Sequence, residues 1–157
     1  MDNNISGLWF CGLAGSGKTH ASKVLYNFIK LAFLVDGDNV RRYVSQDLVY
    51  DLPSRKIQIG RIFGISMLAI ENGYFPIASS VYMSDEMLIQ CQAVGIKVVQ
   101  IKRPESEIRS LRNIYETTND VVGKDIQMPE LDLVVIDNSG NETFHDDIIN
   151  LLENRCC

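Results

Sequence analysis

The chain lacks what would mark a secreted, membrane-spanning or nucleic-acid-binding protein. Its four cysteines, Cys11, Cys91, Cys156 and Cys157, have the spacing of neither a disulfide framework nor a metal-ligand set. Reduced thiols in a cytoplasmic protein are the plain expectation. The terminal Cys156-Cys157 pair has the form of a prenylation signal, but nothing else in the chain accompanies it. No apolar run approaches the roughly 18–20 residues of a spanning helix. The N-terminus has no basic and apolar leader, so no membrane partner is expected. A net charge of −5 is not the basic excess of a general nucleic-acid binder. Repeats, low-complexity tracts and long linkers are missing as well. What is present is a 46% hydrophobic content over 157 residues, ample for the core of one domain covering residues 1–157.

The most specific stretch is Gly12-Leu13-Ala14-Gly15-Ser16-Gly17-Lys18-Thr19, a complete match to the phosphate-loop pattern G-x-x-x-x-G-K-[ST]. Glycines let backbone N–H groups close around phosphate oxygens without side-chain clashes. Lys18 is placed to bridge the outer phosphates, and the Thr19 hydroxyl to ligate the Mg²⁺ that accompanies a nucleoside triphosphate. The context fits. Leu8-Trp9-Phe10-Cys11 reads as a buried strand before the loop, with Trp9 in its core. From Lys18 onward Ala21, Val24, Leu25, Phe28 and Leu31 recur at helical spacing.

Four more apolar strands alternate with helical segments: 32–35, 75–79, 96–101 and 133–137. Helices are expected over 54–71, over 85–94 with Ser84 as N-cap, from Pro104 to about Asn113, and after Thr143. The implied class is α/β, a mostly parallel five-stranded sheet with helices on both faces, in three layers of the P-loop nucleoside triphosphate hydrolase type. Ligands of such sheets bind at the carboxyl ends of the strands, so the places to search are the loop itself, Asp36-Gly37-Asp38, Ser79-Ser80 and Asp137-Asn138. One stretch, from Ile114 to Glu130, is irregular and polar. It is the expected lid, in a lid region of about 104–130 that would exclude water during phosphoryl transfer.

Asp36 and Asp38 follow the second strand at i and i+2, which in extended backbone puts both carboxylates on one side. One can hold Mg²⁺; the other can accept a proton from an attacking hydroxyl. Between 41 and 61 the chain carries Arg41, Arg42, Arg55, Lys56 and Arg61 against Asp47 and Asp51. Five positive and two negative charges leave a local excess of three, which points to an anionic acceptor, with Arg41 and Arg55 as its ligands. Tyr50 lies within this segment and offers a face to a base. His20 adjoins the loop and falls with the ATP-binding set, although neither it nor His145 has a partner that suggests catalysis. The Asn/Thr-Lys-x-Asp motif of a guanine-reading GTPase is missing, as are the second acidic motif and the length of a motor ATPase.

These residues resemble the adenylylsulfate (APS) kinase family. The likeness runs from Leu8 to Thr19, through Val35-Asp36-Gly37-Asp38-Asn39-Val40-Arg41, to Gln46-Asp47-Leu48-Val49-Tyr50 and Arg55-Lys56. It implies an ATP- and Mg²⁺-dependent kinase acting on the 3′-hydroxyl of a small 5′-substituted nucleotide, in a family whose members are commonly homodimers. By motif position, Asp38 and Lys18 are the candidate catalytic residues. Gly12, Ala14, Gly15, Ser16, Gly17, Lys18, Thr19 and His20 serve ATP, with Arg109 and Arg112 from the lid. Thr19 and Asp36 serve the metal. Asp36, Arg41, Tyr50, Arg55, Gln58, Ser79, Ser80 and Lys124 serve the acceptor.

Departures from the family pattern fall on the acceptor side. The family's Glu-Asn-Ile-Arg-Arg becomes Ile57-Gln58-Ile59-Gly60-Arg61. Its Ser-Phe-Ile-Ser-Pro-Tyr-Arg becomes Ser79-Ser80-Val81-Tyr82-Met83-Ser84. Its Lys-Gly-Phe-Thr-Gly becomes Asp120-Val121-Val122-Gly123 in a shorter lid, so the second aromatic of the base clamp becomes Val121. A stacked base contributes about 1–3 kcal/mol, so this loss favours a smaller pyrimidine acceptor. The expectation is cytidine diphosphoramidate, used by related kinases of bacterial surface-polysaccharide pathways. The alternatives are adenylylsulfate itself, a sugar, shikimate-like acid or nucleoside as acceptor, and a non-catalytic ATP-binding regulatory module.

Overall fold

The computed structural model describes residues 5–111, 114–140 and 142–153, without the side chains of Arg109 and Leu111. Arg112, Asn113, Cys156 and Cys157 therefore lie outside the described residues, as does the side chain of Arg109. Five strands, β1 (Gly7–Cys11), β2 (Ala32–Asp36), β3 (Phe75–Ser80), β4 (Ile96–Lys102) and β5 (Val134–Asp137), form one sheet in the order β2-β3-β1-β4-β5. Every pairing is parallel. In register, Cys11 stands between Ser80 and Gln100, so the carboxyl ends of the three central strands open onto one edge.

Strand alternation sends Trp9, Cys11, Val35, Ala78 and Val98 to one face and Leu8, Phe10, Ile77, Val99 and Ile101 to the other. The first face is covered by α3 (Leu52–Glu71), α4 (Asp85–Ala93) and residues around Val122 and Ile126. The second is covered by α1 (Lys18–Tyr26) and α7 (Phe144–Asn150). This is the expected three-layer sandwich. Among the described residues no helix is long and apolar enough to cross a membrane. Trp9 is fully buried and its indole N–H donates to Ser80 Oγ at 2.8 Å.

Several boundaries differ from the expected ones for local reasons. The first helix stops at Tyr26, and Leu31 turns the chain with a φ of 62°, so Phe28 and Leu31 are exposed. Buried Ile29 takes their place in the core. A helix, α2 (Gly37–Tyr43), stands where extended backbone was expected. Asp36 is its N-cap: Oδ1 accepts from the N–H groups of Asp38 (3.0 Å) and Asn39 (3.2 Å). Asp36 and Asp38 are therefore a cap and a first-turn residue rather than two positions on one side of a strand. Ser84 caps α4 through the N–H of Met87, as expected. Pro104 precedes α5 (Glu105–Leu111) instead of opening it, and its carbonyl accepts from Glu107 and Ile108. The Thr143 hydroxyl reaches Asp147 rather than a backbone N–H.

Replacing Trp9 by Phe removes a buried hydrogen bond and leaves a cavity, so Trp9→Phe is expected to lower stability by about 2–4 kcal/mol. Denaturant unfolding followed by circular dichroism measures it.

Candidate active site

The phosphate loop leaves β1 at Gly12, whose φ of 152° suits glycine. A Cβ there would run into the Ile101 carbonyl. At Gly17 (φ 109°) a Cβ would sit 2.5 Å from Asn138 Nδ2. Between them, each of five successive carbonyls accepts from a side chain. Lys18 Nζ donates to Gly12 and Leu13 at 2.8 and 2.9 Å. The Tyr115 hydroxyl donates to Ala14 at 3.1 Å, Arg103 to Gly15 at 3.4 Å, and Asn138 to Ser16 at 2.8 Å. Arg103 is itself braced by Glu107 at 2.9 Å. None of Arg103, Tyr115 and Asn138 was singled out from the sequence as a site residue. Asn138 had been flagged by its position after the last strand; the other two carry no local motif. Beside the loop, an open cavity of about 370 Å³ lies between the end of β4, Gly123 and Met128. That volume is in the range of small-ligand clefts.

At the end of β2, Asp36 Oδ2 accepts from Ser79 Oγ at 3.0 Å and from Thr19 Oγ1 at 3.3 Å. A carboxylate and a hydroxyl at this separation form a hard oxygen pair of the kind Mg²⁺ uses, the rest of its shell coming from phosphates and water. Asp38 is exposed in the first turn of α2. Gln58, from α3, is buried and its Nε2 donates to the Gly37 carbonyl at 3.0 Å.

Tyr50 is exposed, and two guanidinium groups lie near its ring, Arg41 at 4.3 Å from the centroid and Arg55 at 5.7 Å. Arg41 also donates to the Val49 carbonyl at 2.6 Å, and Arg55 to the Asp120 carbonyl at 2.7 Å. Burial draws both guanidinium pKa values down, and at Arg55 the neighbouring charge of Arg41 adds to the effect. Arg61 is not part of this group, since it forms a two-pronged ion pair with Asp47. That pairing holds the Asp47 carboxyl at about 2.

Four expected site residues are engaged otherwise. Ser80 is buried, accepting from Trp9 and donating to the Tyr82 carbonyl at 2.7 Å, so its hydroxyl holds the core and does not face an acceptor. Gln58 braces the start of α2. Lys124 donates to the Thr118 carbonyl at 3.1 Å, within its own segment. His20 stacks on Phe144 with centroids 6.1 Å apart. The segment after α5 is also more ordered than an irregular loop. It contains α6 (Ile114–Thr117), and Tyr115 and Val121 are buried with Ile108 against Leu13. Burial pushes the Cys11 and Cys91 thiols up to about 12, which leaves neither as a nucleophile at neutral pH.

Set against known proteins, residues 5–117 match the family described as adenylylsulphate kinase. The chain belongs to the adenylylsulphate kinase family. Adenylyl-sulfate kinase of Staphylococcus haemolyticus is 37% identical over 50% of this chain and 42% of its own length. Adenylyl-sulfate kinase 4, chloroplastic, of Arabidopsis thaliana is 37% identical over 46% of this chain and 24% of its own length. The matched stretch thus spans less than half of these curated relatives. Among solved structures, the Mycobacterium tuberculosis APS kinase CysC in complex with AMPPNP and APS superposes with a TM-score of 0.80 at 17% identity, covering 96% of this chain and 97% of that one. A gluconokinase from Sinorhizobium meliloti reaches 0.61 at 13% identity, covering 96% of each chain, so this fold also serves other acceptors.

Asp36 caps α2 as well as facing Thr19 and Ser79, and its two tasks separate by substitution. Asp36→Asn keeps an acceptor for the α2 amides and is expected to unfold within about 0.5 kcal/mol of the parent. Asp36→Ala is expected to lose roughly 0.5–2 kcal/mol. Denaturant titration of the two variants checks this.

Proposed function

We propose that the chain is an ATP-dependent kinase that transfers the γ-phosphoryl group to the ribose 3′-hydroxyl of a 5′-substituted nucleotide, with adenylyl sulfate as the acceptor. One observation carries the reading: a phosphate loop whose carbonyls from Gly12 to Ser16 each accept from a side chain runs on to Thr19, which meets Asp36 at the cap of the helix carrying Asp38 and Arg41, and Arg41 and Arg55 both lie at the Tyr50 ring. The names of the curated relatives favour adenylyl sulfate. They give no support to cytidine diphosphoramidate, the acceptor expected from the altered pocket.

In this reading the loop amides and Lys18 hold the outer phosphates of ATP, Lys18 Nζ releasing or sharing its bonds to the Gly12 and Leu13 carbonyls. Thr19 and Asp36 would hold Mg²⁺, which when bound would supply positive charge against the transferring group. Asp38 accepts the proton of the acceptor's 3′-hydroxyl. The oxygen then bonds to the γ-phosphorus as the bond to the β,γ-bridging oxygen breaks, leaving ADP. Arg41 and Arg55 receive the charged 5′-substituent, and Tyr50 stacks on the base. Arg55 must then release or share its bond to the Asp120 carbonyl.

A second reading, a pyrimidine acceptor such as cytidine diphosphoramidate, draws on one feature. Val121 is buried among Ile108, Tyr115 and Leu13, so it does not offer a second aromatic face opposite Tyr50. A base held on one face only loses part of the roughly 1–3 kcal/mol that stacking supplies.

ADP release with adenylyl sulfate, cytidine diphosphoramidate and ordinary nucleotides as acceptors tests the proposal. Fastest turnover is expected with adenylyl sulfate; preference for the cytidine compound selects the second reading. No turnover with any acceptor, despite ATP binding, would leave a regulatory module. Asp38→Ala is expected to lower turnover about 10²–10⁴-fold with ATP binding kept. Near-normal kinetics in that variant would remove Asp38 from the mechanism.

A further inference from the structure

Three of the side chains that hold the phosphate loop's carbonyls stand on or beside the framework of the sheet or α1. Lys18 opens α1, Arg103 follows β4, and Asn138 follows β5. Tyr115 does not. It belongs to the segment after α5, and its hydroxyl donates to the Ala14 carbonyl at 3.1 Å. The ring is 6% exposed, packed with Ile108 and Val121, and this cluster rests on Leu13. Gly123 closes on the same leucine. A Cβ there would lie 2.8 Å from Leu13 Cδ2, and its φ of 88° excludes most side chains in any case. The segment expected as a lid therefore touches Leu13 and Ala14, two variable residues at the crest of the loop.

The consequence follows from peptide geometry. A trans peptide unit is planar, with its C=O and N–H pointing in opposite directions. The Ala14 carbonyl shares its peptide with the Gly15 N–H, so a hydroxyl that holds the carbonyl fixes that N–H on the opposite side, the side that phosphates would occupy if the loop is the ATP site. We propose that Tyr115 is a positioning residue for ATP, whose hydroxyl, reaching in from the lid segment, sets the Ala14–Gly15 peptide and so tightens the loop's grip on the triphosphate. The inference rests on the reading of the loop as the ATP site. Tyr115 touches the loop, not the substrate.

Tyr115→Phe removes the hydroxyl and keeps the ring in its cluster. Its affinity for AMPPNP with Mg²⁺, measured by calorimetric titration, is expected to fall about two- to tenfold, the range of one net hydrogen bond. KM for ATP should rise in proportion, with kcat at saturating ATP and KM for the acceptor unchanged. Ile108→Val thins the same cluster without touching the hydroxyl. It should lower the thermal midpoint while leaving AMPPNP affinity at the parent value. Equal AMPPNP affinity in Tyr115→Phe and the parent overturns this proposal alone, as does an equal loss in Ile108→Val, which would trace the effect to packing. Failure of the parent chain to bind AMPPNP overturns the ATP-site reading, and this proposal with it.

Discussion

A peptide carbonyl anchored on one side of a loop aims the N–H of the same peptide to the other, and the candidate site depends on that constraint. Five consecutive carbonyls, Gly12 to Ser16, are anchored by Lys18, Tyr115, Arg103 and Asn138. A bare loop of this kind would pay to order its backbone at the moment of binding; one braced from outside has that ordering built into the fold. Two of the braces, Arg103 and Asn138, converge because β1 is flanked by β4, with β5 beyond it. Residues that follow these two strands then reach the loop from behind. The parallel order of the sheet and the shape of the phosphate site are one fact at two scales.

The Asp36 carboxylate couples fold to chemistry in a similar way. One oxygen caps α2 through the Asp38 and Asn39 amides, and the other takes the Ser79 and Thr19 hydroxyls. The cap starts a helix that carries both Asp38 and Arg41. A metal at the Thr19–Asp36 pair would thus draw on the same carboxylate that orients the residues around it. Gln58 supports the arrangement from α3 through the Gly37 carbonyl, which explains why a polar side chain is buried there.

What was legible in the sequence was local. The phosphate loop, the five strands, the Ser84 cap and the long α3 each follow from neighbours within a turn or a strand. The misreadings are those that needed a distant partner or a choice between two equal local signals. Asp-Gly-Asp suits a turn and a capped helix start alike, so α2 was missed and the two carboxylates were put on one side. Ser80 looked available because nothing nearby in sequence announces that Trp9 lies across the sheet. Gln58 donates to Gly37, 21 residues away, a contact that no local pattern announces. Arg103 and Tyr115 reach the loop across 88 and 101 residues, and no periodicity or motif encodes such a contact.

The acceptor side is where electrostatics does more than motif. Arg41 and Arg55 both lie near one tyrosine ring, are partly withdrawn from water, and repel each other. Burial of like charges is unfavourable unless a counter-charge arrives. Their hydrogen bonds go to the Val49 and Asp120 carbonyls, and the opposing charges near them are the Asp38 and Asp51 carboxylates for Arg41 and the Asp120 carboxylate for Arg55. In the proposed reading a charged 5′-substituent would relieve that repulsion, which a neutral sugar would not. It would do so whichever base lies on Tyr50. In the same reading selection of the base would fall to other contacts, and Val121, packed with Ile108 and Tyr115, supplies no second ring for it. The anion and the base would then be read by separate groups, and only the first of these is built from charge.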